Sequence, residues 1–298
     1  MPFAPALEHL ELRFHNVYNQ PSTFRSKFLE VQEWPTKVKS LRFIAYDQLM
    51  DTTSFCAFVK RFALSLKHLS FYISTQQRFL MSTWRTLEKF LLDYLSNLNQ
   101  IDFCVHSGVA NIEIDRRRLF DRWTKKQVIS VFHSLEFHTR FTIPFAFDRL
   151  EYVSNDFVDY RCNRYQSNVT LSLSSIVMIT FYSKDKLNLS LFILIQRTCP
   201  SLRYLRFKNF CDLTEDLIQN TIVTLPTVTE LCLSDVASSI NSPVLHRIFS
   251  LIPNLKHLTT QRRHITAIDT MDNDTKMLRH VKVTIVECSS SMNNNQDN

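Results

Sequence analysis

The chain has 298 residues, 45% of them hydrophobic and 21% charged, with 35 Lys and Arg against 28 Asp and Glu for a net charge of +7. That length admits one long domain or two ordinary ones around a substantial core, and the well-mixed charge favours acidic partners only mildly. A single glycine, Gly108, excludes glycine-rich phosphate loops and a Gly-x-Ser-x-Gly nucleophile elbow, while seven cysteines without a Cys-x-x-Cys pair exclude a disulfide framework and the common zinc sites.

In chain order, the first residues lack the basic and apolar regions of a signal peptide, and no apolar run is long enough to span a bilayer. A reducing cytoplasmic or nuclear compartment is expected, and the sequons at Asn168, Asn188 and Asn273 are read as chance matches. From Leu7 onward the spacing apolar-x-x-apolar-x-apolar recurs. It begins at Leu7, Val38, Leu66 and Leu98 in the first half, at intervals of 31, 28 and 32 residues. It begins again at Ile176, Leu202, Val228, Leu255 and Leu278, at intervals of 26, 26, 27 and 23. Nine phrases in near-register mark a repeat whose units cannot bury their own apolar faces and must stack. The last strand position is often Phe (Phe43, Phe71, Phe103, Phe181, Phe207), which predicts a ladder of rings.

Between the phrases, apolar residues fall at helical spacing. Phe55, Phe58, Val59 and Phe62 follow Thr53; Trp84, Leu87, Leu91 and Leu95 follow Ser82; Val244, Leu245, Ile248, Phe249 and Ile252 follow Ser242, read as an N-cap, and Pro243. Glu215 and Asp216 suit the first turn of a helix after Thr214. Pro35, Pro200, Pro226 and Pro253 stop the helices shortly before the next strand. The expected fold is therefore α/β, a leucine-rich-repeat solenoid over 1–288 with a concave parallel sheet and convex helices. It is irregular at about 108–166, where only imperfect phrases such as Leu135 with Phe137 and Leu150 with Val153 occur, and a boundary between two half-solenoids there is the alternative. Residues 289–298 are expected to form a disordered polar tail.

At Cys199-Pro200-Ser201-Leu202-Arg203-Tyr204-Leu205, followed by Cys211 and Leu213-Thr214-Glu215-Asp216, the sequence resembles the cysteine-containing leucine-rich repeats of F-box/leucine-rich-repeat proteins. Ile252 to Leu258 and Leu225 to Val228 are looser copies of the phrase. The resemblance implies the substrate-receptor part of a cullin-type ubiquitin ligase, with the repeats holding substrate. The family's F-box has no counterpart here, since Leu7 already opens a repeat strand, so a Skp-type adaptor is expected only if an F-box is supplied upstream.

No catalytic residue, metal or other cofactor is expected, and the chain is read as a non-enzyme. His133 and His138 stand five apart without further ligands, and Asp269, Asp272 and Asp274 lack the Gly and terminal Glu of a calcium loop. Cys56, Cys104, Cys199, Cys211 and Cys232 are read as packed apolar residues. Alternation along each strand assigns the residues that face a protein partner on the concave side. They are Arg42, His68 and Tyr72 in the first half and Tyr204, Arg206, Lys208, Glu230 and His257 in the second. The function expected is a protein-interaction scaffold. The alternative is a basic repeat protein that binds nucleic acid through 116–126, where Arg116, Arg117, Arg118, Arg122, Lys125 and Lys126 cluster around Phe120 and Trp123. Asp115 and Asp121 interrupt that run, so nucleic acid is the less expected partner, and no membrane association is expected.

Overall fold

A computed structural model describes residues 7–14, 37–75, 87, 89–90, 93–108, 127–133, 137–162, 171–182, 184–209, 211–265 and 280–286. The basic run at 116–126, the acidic loop at 269–274, the tail at 289–298 and most of the helix expected after Ser82 lie outside the described residues. The chain divides into two compact units, Met1–Phe147 with Asp159–Leu173, and Asp148–Val158 with Ser174–Asn298. Both are mixed α/β, with parallel strands and few helices.

The first unit holds a seven-stranded sheet in the order β1-β2-β3-β4-β6-β5-β8. Strands β1 (His9–Phe14), β2 (Ser40–Leu49), β3 (His68–Thr75) and β4 (Gln100–Gly108) run parallel in chain order. The repeated phrase sets their register, because a slip of one residue would turn every apolar side chain to the wrong face. Leu10 thus lies beside Leu41, Leu41 beside Leu69 and Leu69 beside Ile101, with Phe43, Phe71 and Phe103 in line one position pair further on. Helix α1 (Thr52–Lys60) covers this face and starts where the Asp51 carboxylate accepts the Ser54 N–H at 2.9 Å. Its Phe55 meets both Phe43 at 5.2 Å and Phe71 at 4.9 Å. Phe71 stacks on Phe103 at 5.8 Å, while Phe14 lies tilted against Phe43 at 4.9 Å.

The repeat then breaks. Strands β5 (Gln127–His133) and β6 (Phe137–Ile143) form an antiparallel pair, β6 adds antiparallel to β4, and the short β8 (Arg161–Cys162) adds to β5. Phe137, read as part of an imperfect parallel phrase, therefore opens an antiparallel strand.

The second unit holds a six-stranded, wholly parallel sheet in the order β13-β12-β11-β10-β9-β7. It comprises β7 (Arg149–Val153), β9 (Met178–Tyr182), β10 (Tyr204–Asn209), β11 (Glu230–Val236), β12 (His257–Gln261) and β13 (Lys282–Val286). Ile179, Leu205, Leu231 and Leu258 are aligned across four strands and buried, and Phe181 meets Phe207 at 4.9 Å and Phe192 of helix α2 (Leu189–Thr198) at 5.6 Å. Each such side chain removed from water contributes about 1.5–3 kcal/mol. The helices at α3 (Glu215–Gln219) and α4 (Ser242–Leu251) follow their strands as expected, with the N-cap of α4 at Asn241 and not at Ser242. Arg247 of α4, 4% exposed, donates to the Leu217 carbonyl at 2.8 Å and the Val223 carbonyl at 2.9 Å and so ties α4 to α3 and its following loop.

The last strand departs from the sequence register. Leu258 pairs with Val283, whereas the phrase at Leu278 would have aligned it with Val281. A shift of two keeps the same side chains on the same face, but it puts Lys282 beside His257 where the phrase would have put His280.

Candidate functional site

The face of the second sheet opposite helix α2 gathers the sequence-expected residues into rows. Met178, Tyr204, Glu230, His257 and Lys282 are successive neighbours across β9 to β13, and Thr180, Arg206, Cys232, Thr259 and Thr284 form the next row. Tyr204, Arg206 and Lys208 are half-buried and Glu230 and His257 exposed, so all five reach the surface. Burial, with Cys232 adding to it, holds the Tyr204 hydroxyl protonated well above its ordinary range, which keeps it a hydrogen-bond donor.

Arg206 is not loose. Its Nε donates to Asp235 Oδ2 at 2.7 Å and its Nη2 meets the same oxygen, while Asp235 Oδ1 accepts from the Ser234 hydroxyl at 3.2 Å. That hydroxyl lies 3.1 Å from Cys232 Sγ, and the Gln261 amide donates to the Ser234 carbonyl. The ion pair fixes the guanidinium fork beside the Tyr204 ring's row, the pre-organised arrangement that limits the entropy lost on binding. Strict alternation from Glu230 through Cys232 and Ser234 turns Asp235 inward, and so misses it. A register shift after Arg206 brings Asp235 beside Lys208, and Asn209 next to it takes a positive φ of 67°.

The corresponding face of the first sheet is occupied by its own chain. Arg42, the counterpart of Arg206 in the repeat, donates to the Ala146 carbonyl at 2.9 Å and lies 5.4 Å over the Phe147 ring. Phe147 packs edge-on against Tyr72 at 5.4 Å and Phe145 at 5.5 Å. Tyr72 also meets Tyr46 at 4.6 Å, and its hydroxyl lies 2.6 Å from His106 Nε2. The expectation that Tyr72 faces a partner is therefore corrected: it is fully buried, because residues 145–147 cover it. Arg42 is half-buried with its fork engaged, and only His68 of this group is exposed.

Among the described residues no group of three or more His, Cys, Asp or Glu side chains is placed to hold a metal, and no helix is long and apolar enough to cross a membrane. His138 is buried, with its Nε2 accepting from Arg140 Nε at 3.1 Å. Burial pushes the Cys56 thiol up to about 12 and the Cys199 thiol up to about 11, and raises Cys211 as well.

No protein-family model and no curated protein matches the chain. A chain in the crystal structure of the Rad7 and Elc1 complex in yeast is similar at 12% identity, over 85% of this chain and 68% of that one, with a TM-score of 0.38. A likeness at that level is too distant to establish a shared fold.

Proposed function

We propose that the chain is a leucine-rich-repeat solenoid of the kind found in F-box/leucine-rich-repeat proteins and works as a non-enzymatic scaffold that holds a protein partner. The partner seats on the face of the second sheet opposite helix α2, against Tyr204, Arg206, Lys208, Glu230 and His257. One observation carries this reading: a half-buried Tyr and an Arg locked by Asp235 stand in adjacent rows of a parallel sheet, the residue types that dominate binding hot spots. The first sheet lends no comparable surface, since Arg42 and Tyr72 are engaged by residues 146 and 147. Arg42 and Tyr72 therefore drop out of the proposed contact set.

A substrate-receptor role in an F-box-type ubiquitin ligase, in the cytoplasm or nucleus, is the form this function takes where an F-box supplies the Skp-type adaptor contact. Proximity labelling in cells tests the face directly. Wild type and Tyr204→Ala/Arg206→Ala are expected to give different neighbour sets, with the strongest neighbours of the wild type lost. Identical sets would remove the face from consideration.

A further inference from the structure

We infer that the strand-entry edge of the second sheet binds an acidic, extended peptide segment of a protein partner. This deepens the protein-binding reading above and rests on it. Where the chain enters β10 to β13, a groove of about 760 Å³ runs along the sheet edge. Its walls carry Arg203, Lys256, His257, His280 and Lys282, all exposed, and its floor includes Pro200, Pro226 and Leu255. Among the described residues no Asp or Glu lines it, and none of these five cationic or basic side chains is ion-paired with another of them.

The backbone there is already committed. The Arg203 carbonyl accepts the N–H groups of Thr229 and Glu230 at 2.9 and 3.0 Å, and the Thr229 carbonyl those of Lys256 and His257 at 2.8 and 3.1 Å. The Lys256 carbonyl accepts the Lys282 N–H at 2.8 Å. The strand entries are thus stapled one above another, and only side chains remain to meet a ligand. Lys256 stands one strand from Lys282 and two from Arg203, about 5 and 10 Å respectively. Those separations bracket the roughly 6.6 Å between alternate side chains of an extended peptide, so successive anions on one side of such a segment can meet successive cations.

The first unit supplies the contrast. Its equivalent groove, about 550 Å³ at the entries of β1 to β4, carries Lys37, Lys39 and Lys67 but also Glu8. Glu8 pairs with Lys39, which holds the Glu8 carboxyl below its ordinary range, so this groove carries an anion of its own. Among the described residues the groove of the second unit is lined by none. Nucleic acid would also answer its charge, yet single strands bind through stacking on large aromatic rings as well as through phosphates, and among the described residues no Phe, Tyr or Trp lines this groove. A small apolar floor between cations suits a peptide instead.

Fluorescence anisotropy with the full chain tests the inference. The probes are a short labelled peptide of alternating Glu and Ser, the same peptide phosphorylated on Ser, its Gln-for-Glu counterpart, and a single-stranded oligonucleotide of equal charge. Wild type should bind one or both acidic peptides, more weakly as salt rises, and the Gln peptide should not bind. Arg203→Glu/Lys256→Glu should weaken binding by about tenfold or more, and Lys282→Glu on the neighbouring strand repeats the test. These side chains are exposed, so unchanged thermal melts are expected of the variants. Preference between the first two peptides tells carboxylate from phosphate as the source of the anion. The inference is overturned if both variants bind like wild type, if wild type binds neither acidic peptide, or if the oligonucleotide binds more tightly than both. Such a failure leaves the neighbour-set comparison for Tyr204 and Arg206 standing. Conversely, an unchanged neighbour set for that variant leaves groove binding of the peptides intact.

Discussion

Phe147→Ala probes the cover on the first sheet. The ring is fully buried, 5.4 Å from Tyr72 and 5.5 Å from Phe145 in edge-on contacts, and beneath the Arg42 guanidinium at 5.4 Å. Truncating a core Phe to Ala costs about 3–5 kcal/mol. Each edge-on ring pair accounts for about 0.5–1.5 kcal/mol of that, and the cation contact at this half-exposed arginine for about 0.5–1 kcal/mol. The remainder is the cavity. Phe147→Leu keeps most of the apolar volume and should cost about half as much, which separates filling from ring geometry. Urea unfolding followed by circular dichroism reads the loss, and ultraviolet difference absorption reads the opening of Tyr72. A loss below about 1 kcal/mol for Phe147→Ala, with Tyr72 still shielded, would show that residues 145–147 do not cover the sheet and would return Tyr72 to the list of partner contacts.

Arg247→Met keeps the stem but strips the Leu217 and Val223 carbonyls of their donor, at about 1–3 kcal/mol for each buried group left unmet, so a loss of roughly 2–6 kcal/mol is expected in urea unfolding. An unchanged midpoint would refute that role. His264 is buried, and desolvation followed by the nearby Arg263 charge lowers its proton affinity below the ordinary 6.5, partly opposed by the Val236 backbone. The unfolded chain therefore takes up the proton first as pH falls below about 6.5, so wild-type stability should decline from there down to the folded-state value. Melting temperatures of His264→Gln across that window should be flatter than those of wild type, and parallel curves would contradict the assignment. Alkylation at mildly alkaline pH should leave Cys56, Cys199 and Cys211 unmodified in the native chain and modify all three in urea; rapid native labelling of any would show that its burial is wrong.

The parallel strands were legible because the repeated phrase states both period and face: Leu41, Leu69 and Ile101, or Leu205, Leu231 and Leu258, are aligned in space as their positions in the phrase require. What the phrase does not carry is any event that breaks periodicity. The register shift after Arg206 turns Asp235 outward without a glycine to announce it, and the displacement of β13 relies on a strand whose phrase contains only Val and Leu. In β5 and β6, Val128, Ile129, Val131, Phe141, Thr142 and Ile143 are buried on both faces, so alternation disappears and an antiparallel pair looks like a degraded repeat. Tyr72 was misplaced for a different reason: its cover comes from Phe147, far along the chain, and no local pattern reports a contact of that range.

A subtler signal was nevertheless present in the outward positions themselves. On the first sheet the polar Arg42 and His68 stand among apolar side chains that water would penalise, Ile44, Tyr72 and Cys104, and the chain covers Tyr72 with residues 145–147. On the second they include Tyr204, Arg206, Lys208, Glu230 and His257, which reach the surface, beside Met178, Thr180, Cys232 and Thr259, of which Thr180 and Cys232 are buried. Arg42 and Arg206 occupy the same place in the repeat, yet one is bound to the Ala146 carbonyl and the other to the Asp235 carboxylate. The difference follows from their neighbours: an arginine among apolar outward residues is drawn under the cover those residues require, whereas one among polar residues is fixed by an ion pair and left at the surface. The apolar content of the outward positions therefore separates a sheet face that the chain closes over from one that remains open to a partner.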